Sequence, residues 1–299
     1  METLKGVFTP MITIFDEKGE LDWEANQRLI DWLIEQKVTG LVLLGSTGEF
    51  SSLTSEERKT FVQEMIAYVN ERVPVLVGTG STSFIETLEL SKQAESVGAK
   101  GVLVVNPYYL KFSDDQLYLY FSEISESISI PVILYNIPEL TGQNLSVELI
   151  YRLAMNHPNI VGIKETVKDI SHIRQVLLKV KQERPDFLVF AAYDDHVLPA
   201  LQLGADGSIS STTNFVPALI VDLFQSFQNG DDQKTIGLQR KIAKAMVIYE
   251  FSNPFFLAIK EAVGQVVLDR HLGSRFPAVL NEKELSDKVS RFLSDLSRP

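Results

Sequence analysis

An α/β fold of the (β/α)8 TIM-barrel type, carrying a C-terminal helical extension, is predicted by three features of the sequence. Short apolar runs recur eight times, helix-length amphipathic stretches separate them, and beyond Asn214 the pattern turns wholly helical with no Pro/Ser-rich linker. The runs lie at 7–13, 40–45, 73–78, 101–106, 130–136, 160–164, 187–191 and 207–210. They are apolar without alternation and rich in Val and Ile, as parallel strands buried on both faces are. Their spacing, mostly ~18–35 residues, suits successive βα units, and eight such units close a barrel. Periodicity cannot show closure, so a doubly wound open sheet is the alternative.

In chain order, the opening run 7–13 is followed by 40–45, which ends in Gly45-Ser46-Thr47-Gly48-Glu49. Thr54-Ser55-Glu56-Glu57 then supplies a capping box for the next helix. Run 73–78 leads into Gly78-Thr79-Gly80-Ser81-Thr82-Ser83, which superficially resembles a dinucleotide fingerprint. Ser83 stands where the third glycine is needed, and the next run ends in Asn106 instead of an acid, so a nicotinamide site is rejected. Run 101–106 opens onto Tyr108 and Tyr109, with a second capping box at Ser113-Asp114-Asp115-Gln116. The later runs close on Tyr135-Asn136, on Lys164-Glu165, on Tyr193-Asp194-Asp195 and, for the weakest run, on Ser210-Ser211. Helices are expected at 215–229, 231–249, 254–264 and 281–297. Residues 1–215 are thus read as the barrel core. Residues 216–299 are read as helices packed on it, the last barrel helix plus an extension, and not as an independent domain.

Composition narrows the function. The 299 residues are 45% hydrophobic and 22% charged, which excludes a disordered chain. A net charge of −11 argues against nucleic acid or an anionic membrane as partner. The absence of cysteine removes disulfides, thiolate nucleophiles and Cys-zinc sites. His157, His172, His196 and His271 show no metal-ligand spacing, and Ser46 and Ser211 lack a G-x-S-x-G elbow. Asp194-Asp195-His196 could bind a divalent ion, but hydrogen bonding to substrate hydroxyls or helix capping is the favoured reading. No metal and no cofactor are expected. Residues 1–6 carry no leader pattern and no apolar run reaches membrane-spanning length, so the expected location is the cytoplasm.

Reacting groups of parallel α/β folds sit at the C-terminal ends of strands, so the residues after each run should converge. Lys164 ends an apolar strand. Apolar surroundings disfavour an ammonium, and the neutral amine is what attacks a carbonyl to form a Schiff base. The competing reading is a lysine at the strand mouth that reaches water or pairs with a carboxylate. Lys260 also has apolar neighbours, but on a late helix, where snorkelling to solvent is expected. Tyr135 could shuttle a proton if a second group orients its hydroxyl, or could be an ordinary core-rim tyrosine. In the turn Gly45–Glu49, backbone N–H groups and two hydroxyls could surround an anion, or could simply form a tight turn that caps a helix.

Five elements, in this order, resemble the pyruvate-dependent class I aldolases that include dihydrodipicolinate synthase and N-acetylneuraminate lyase. They are Gly45-Ser46-Thr47-Gly48-Glu49, Asn106-Pro107-Tyr108-Tyr109, Tyr135-Asn136-Ile137-Pro138, Gly162-Ile163-Lys164-Glu165 and Ala205-Asp206-Gly207. The resemblance implies a Schiff base between Lys164 and the keto carbon of a 2-keto acid, with Tyr135 as proton shuttle. Ser46, Thr47 and Gly48 would hold the carboxylate, and Thr47 would connect Tyr135 to Tyr109. In the family the tyrosine matching Tyr109 comes from a neighbouring subunit, which implies a homotetramer built as a dimer of dimers.

One departure narrows the choice. The synthases carry an arginine two residues after the Tyr-Asn-x-Pro proline, where this chain has Leu140, and a leucine cannot replace a guanidinium fork for carboxylate recognition. Asp194, Asp195 and Ser211 resemble the lyases' hydroxyl-binding positions. The combination looks most like 2-keto-3-deoxygluconate aldolases, which cleave a 2-keto-3-deoxy sugar acid reversibly to pyruvate and an aldehyde. The alternatives are dihydrodipicolinate synthase (4-hydroxy-tetrahydrodipicolinate synthase), an N-acetylneuraminate lyase, a keto-deoxy-acid dehydratase, or a retired barrel that senses a keto acid.

Overall fold

Each apolar run forms a strand: β1 (Gly6–Pro10), β2 (Gly40–Leu43), β3 (Val75–Gly78), β4 (Gly101–Val105), β5 (Val132–Asn136), β6 (Ile160–Glu165), β7 (Leu188–Ala191) and β8 (Gly207–Ile209). The computed structural model describes residues 4–278 and 282–296. Neighbouring strands pair in parallel in sequence order, and β8 closes onto β1 through Gly6–Gly207, Val7–Ser208 and Phe8–Ile209. The fold is therefore the closed barrel and not the open sheet. Run 7–13 pairs only as far as Pro10. Beyond it the Ile12 N–H is taken by the Asn214 side chain at 3.0 Å and the Ile14 N–H by Asn26 at 3.1 Å, so the chain leaves the ladder.

Alternating side chains divide the core in two. Phe8, Val42, Leu76, Leu103, Ile133, Leu188, Phe190 and Ile209 fill the barrel interior, where Phe8 and Phe190 meet edge to face with centroids 5.9 Å apart. Val7, Leu41, Val75, Val102, Leu134 and Val189 face outward against the helices. This is the period-two pleat of a strand buried on both sides. Both capping boxes form: Thr54 and Glu57 cap the helix Ser55–Val69, and Ser113 and Gln116 cap Asp114–Ser127.

The helices beyond β8 are Pro217–Gln228, Asp232–Ala245, Phe256–Val263 and Glu282–Leu296. The expected helix 231–249 ends early because its last turn tightens into a 3₁₀ segment, Met246–Glu250, which lies across the mouth of the barrel. Positions 281 and 297 of the expected final helix, and 1–3 of the segment read for a leader, lie outside the described residues. Among the described residues no helix is long and apolar enough to cross a membrane.

Candidate active site

A register irregularity decides where Lys164 points. β5 and β6 pair Val132 with Ile160 and then Ile133 with Gly162, which leaves Val161 as an extra residue. Ile160 packs outward and Val161 inward, so strict alternation would send position 164 outward with Ile160. The bulge shifts the phase by one. Ile163 then packs outside, and Lys164 faces the interior in register with Tyr135. A Cβ on Gly162 would lie 2.6 Å from the Leu188 carbonyl oxygen, so only glycine lets β6 and β7 approach this closely.

Lys164 is 4% exposed, and its Nζ stands 4.3 Å from the Tyr135 ring centroid. Among the described residues its side chain makes no hydrogen bond or ion pair, so it does not sit on a carboxylate. Glu165 and Asn136 point the other way, as the pleat requires. The fully buried Glu165 carboxylate accepts from Asn136 Nδ2 at 2.9 Å and lies 3.1 Å from His172 Nδ1. Burial works against the His172 cation, but Glu165 outweighs it and holds the imidazole above its ordinary pKa. These groups brace the outside of the strand ends and leave Tyr135 and Lys164 alone on the inside.

Ser46 and Thr47 follow β2 in a tight turn, with the Gly48 N–H bonded to the Gly45 carbonyl at 3.0 Å and the Glu49 N–H to that of Ser46 at 3.2 Å. The turn leads into the 3₁₀ segment Phe50–Ser52 and does not itself cap a helix. Ser46, not Thr47, touches the phenol: its Oγ is 3.3 Å from the Tyr135 hydroxyl. Thr47 Oγ1 instead pairs with Ser211 Oγ at 2.7 Å, so here the hydroxyl beside Tyr135 is that of Ser46. Gly48 sits behind the two hydroxyls, where its carbonyl accepts from Thr13 Oγ1 at 2.7 Å, and it does not line the cavity.

The turn is held from behind by a residue expected to snorkel. Lys260 is fully buried, its Nζ 2.6 Å from Glu49 Oε1 and 4.6 Å from the Phe15 ring centroid. It cannot reach solvent because the helix Phe256–Val263 packs against the barrel on that face. Burial pushes the Glu49 carboxyl up and the Lys260 ammonium down, each opposed by the other's charge.

Asp194 lies away from the cavity. It is fully buried and accepts from the Tyr249 hydroxyl at 2.8 Å and from the Thr212 hydroxyl, so it does not face a polyol. Burial pushes its carboxyl up to about 6 against those two donors, with the Asp195 charge adding to the rise. Asp195 and Ser211 do line the cavity. Tyr109 does not. It is 93% exposed with a left-handed φ of 81°, a strained backbone for a non-glycine residue, and no element of its own chain brings it to Tyr135.

The cavity over Lys164 has a volume of about 630 Å³. Its floor is Thr47, Tyr135 and Lys164, and its walls include Glu139, Leu140, Thr166, Lys168, Tyr193, Asp195 and Ser211. A second, more apolar lobe of about 750 Å³ adjoins it across Ile137, Leu140, Tyr249 and Phe255 and reaches Ser46, Phe50 and Tyr108. Strand-end reasoning missed Tyr249, which belongs to the C-terminal 3₁₀ segment, and Glu139 and Lys168, which lie three residues or more past their strand ends. The groups fit imine chemistry on a keto acid. Among the described residues no group of three or more His, Cys, Asp or Glu side chains could hold a metal ion.

The chain is similar to known proteins. The model of the dihydrodipicolinate synthetase family matches residues 3–296. The chain is 44% identical over 258 residues, 86% of its length and 85% of the relative's, to the Escherichia coli K12 protein named "Putative 2-dehydro-3-deoxy-D-gluconate aldolase YagE". It is 38% identical over 294 residues, 98% of each chain, to "Probable 2-dehydro-3-deoxy-D-pentonate aldolase YjhH" of the same organism. Its fold superposes on the crystal structure of YagE in complex with pyruvate with a TM-score of 0.94, at 40% identity and covering 98% of each chain.

Proposed function

The chain belongs to the dihydrodipicolinate synthetase family and is a lyase of the class I aldolase type, and on that premise we propose that Lys164 forms its Schiff base and that its substrate is a 2-keto-3-deoxy sugar acid such as 2-keto-3-deoxygluconate. The observation that carries the assignment is the buried amine of Lys164, set beside Tyr135 by the β5–β6 register and paired with no carboxylate.

The Lys164 amine adds to the C2 carbonyl and water leaves, giving an iminium. The C4 hydroxyl then loses its proton as the C3–C4 bond breaks, and the bonding pair enters the iminium as an enamine, so no free carbanion forms. The aldehyde departs, C3 takes up a proton, and hydrolysis returns pyruvate and the free lysine. Tyr135 carries the protons at these steps, its hydroxyl oriented by Ser46. The Ser46–Thr47 turn receives the keto-acid carboxylate.

Two features favour the sugar acid over aspartate semialdehyde. Leu140 offers no donor where the synthases have an arginine, and the walls beyond Lys164 carry the hydroxyls of Thr166, Tyr193 and Ser211 and the carboxylate of Asp195. The reading includes a cytoplasmic homotetramer, a dimer of dimers, in which Tyr109 of one subunit completes the site of its neighbour. Its exposure and strained backbone support that role. The test is a condensation assay with pyruvate plus either glyceraldehyde or aspartate semialdehyde. A six-carbon product from glyceraldehyde is expected, and robust turnover of the semialdehyde instead would overturn the substrate assignment.

A further inference from the structure

The mouth of the cavity holds a clasp that the catalytic scheme does not use. Glu139 stands on the short helix Pro138–Thr141 after β5, Lys168 follows β6, and Tyr193 follows β7. All three line the same cavity as Lys164. One Glu139 oxygen receives the Lys168 ammonium and the other the Tyr193 hydroxyl. Three consecutive βα loops are thus tied together through one carboxylate. The Lys168 hydrogen bond and the Tyr193 hydrogen bond hold that carboxyl below its usual range, so it is ionised at neutral pH.

The consequence is electrostatic. Besides Lys164, which the keto acid consumes, Lys168 is the cation lining this cavity among the described residues, while Glu139, Asp195 and Glu250 are its acids. Lys168 is exposed and its ammonium keeps further donors, but the Glu139 carboxylate paired with it offsets the charge it would present to an anionic group on the far end of an acceptor aldehyde. Such a group would instead meet the remaining negative charge, and like charges brought together in a binding site discriminate strongly against a ligand. Hydroxyls suit the same wall, since carboxylates accept from them and Tyr193, Thr166 and Ser211 exchange hydrogen bonds with them.

We propose that Glu139 is a specificity-determining residue: by offsetting the charge of Lys168, it leaves the negative charge of Asp195 and Glu250 to make the acceptor site select an uncharged polyol aldehyde over one that ends in a phosphate. This rests on the aldolase reading above and goes beyond it by naming the charge class of the acceptor and the residue that sets it.

The experiment compares condensation of pyruvate with D-glyceraldehyde and with D-glyceraldehyde 3-phosphate, using the full-length protein and its E139A, E139Q and E139A/K168A variants. The wild type is expected to favour glyceraldehyde in kcat/KM. E139A frees Lys168 and should raise relative use of the phosphate about tenfold or more, chiefly through a lower KM for it, and this gain should shrink at high salt. Removing Lys168 as well should abolish the gain, and E139Q, which keeps an acceptor for Tyr193 but not the charge, should show part of it. A wild type that uses the phosphate as well as the neutral aldehyde, or an E139A variant with unchanged preference, overturns the proposal while leaving the aldolase reading intact. A wild type that turns over neither aldehyde contradicts the aldolase reading and the proposal together.

Discussion

Asp194 shows most clearly what a single side chain contributes here and what a sequence can say about it. As one of a pair of acids after a strand, it reads as a contact to substrate hydroxyls. The structure turns it inward, where Tyr249 from the C-terminal segment and Thr212 consume its oxygens. Its neighbour Asp195 keeps the cavity-facing role. Nothing in the order Tyr193-Asp194-Asp195 marks which acid turns in, because the partner that decides it lies 55 residues away. The pH dependence follows from the sign of the shift. Burial pushes Asp194 up to about 6 in the folded protein against an ordinary 3.8, so the native state binds more protons between those values, and stability falls as pH rises through that window. The ionised form at neutral pH costs about 3 kcal/mol relative to a solvated carboxylate. Asp194→Asn removes that titration. Its stability relative to the wild type, measured by urea unfolding, should therefore improve by about 1.4 kcal/mol between pH 5 and pH 7.5. A difference between the two proteins that does not change with pH contradicts the assignment.

Among the elements, the strands were the most legible and their phases the least. Eight Val- and Ile-rich runs announce eight strands, and both capping boxes announce their helices. The run Ile160-Val161-Gly162-Ile163-Lys164 gives no sign, apart from its glycine, that it contains a bulge that moves Lys164 from the outer face to the inner one. The strand-end rule found Lys164 because it counts loop positions and not faces. The reach of the tail onto the barrel was equally hidden, since Lys260 reads as an amphipathic surface lysine until its helix is docked. That docking rests on the Lys260–Glu49 pair, with both side chains fully buried. Breaking one side of a buried pair strands the other charge, so Lys260→Met should cost about 3–5 kcal/mol. Adding Glu49→Gln should recover much of it, because the two sites share one interaction. Denaturant titration of the single and double variants checks this, and a Lys260→Met protein as stable as the wild type would remove the pair from the account.

At the scale of the whole molecule, a length of 299 residues resolves into a closed eight-stranded barrel with further helices packed against it, and composition alone could not have chosen between that and two ordinary domains. The chain presents a nearly complete site. Its floor, its walls and the proposed proton carrier, Tyr135, come from one chain, while Tyr109 stands outside on a strained, exposed turn. If Tyr109 completes the site of a neighbour, Tyr109→Phe should keep the assembly and lower kcat, whereas dilution below the dissociation range should lower the activity of the wild type in step with its mass. Analytical ultracentrifugation alongside activity tests this. A fully active monomer would show that Tyr109 has no such role.

Lys164, made an interior residue by the β6 bulge, is the amine proposed to form the imine. Incubating the protein with pyruvate and borohydride, then mapping the modified peptide by mass spectrometry, tests it most directly. A three-carbon adduct on Lys164 is expected, absent from Lys164→Ala and retained in Lys260→Met. An adduct on Lys260, or none under conditions that trap a known family member, would contradict it.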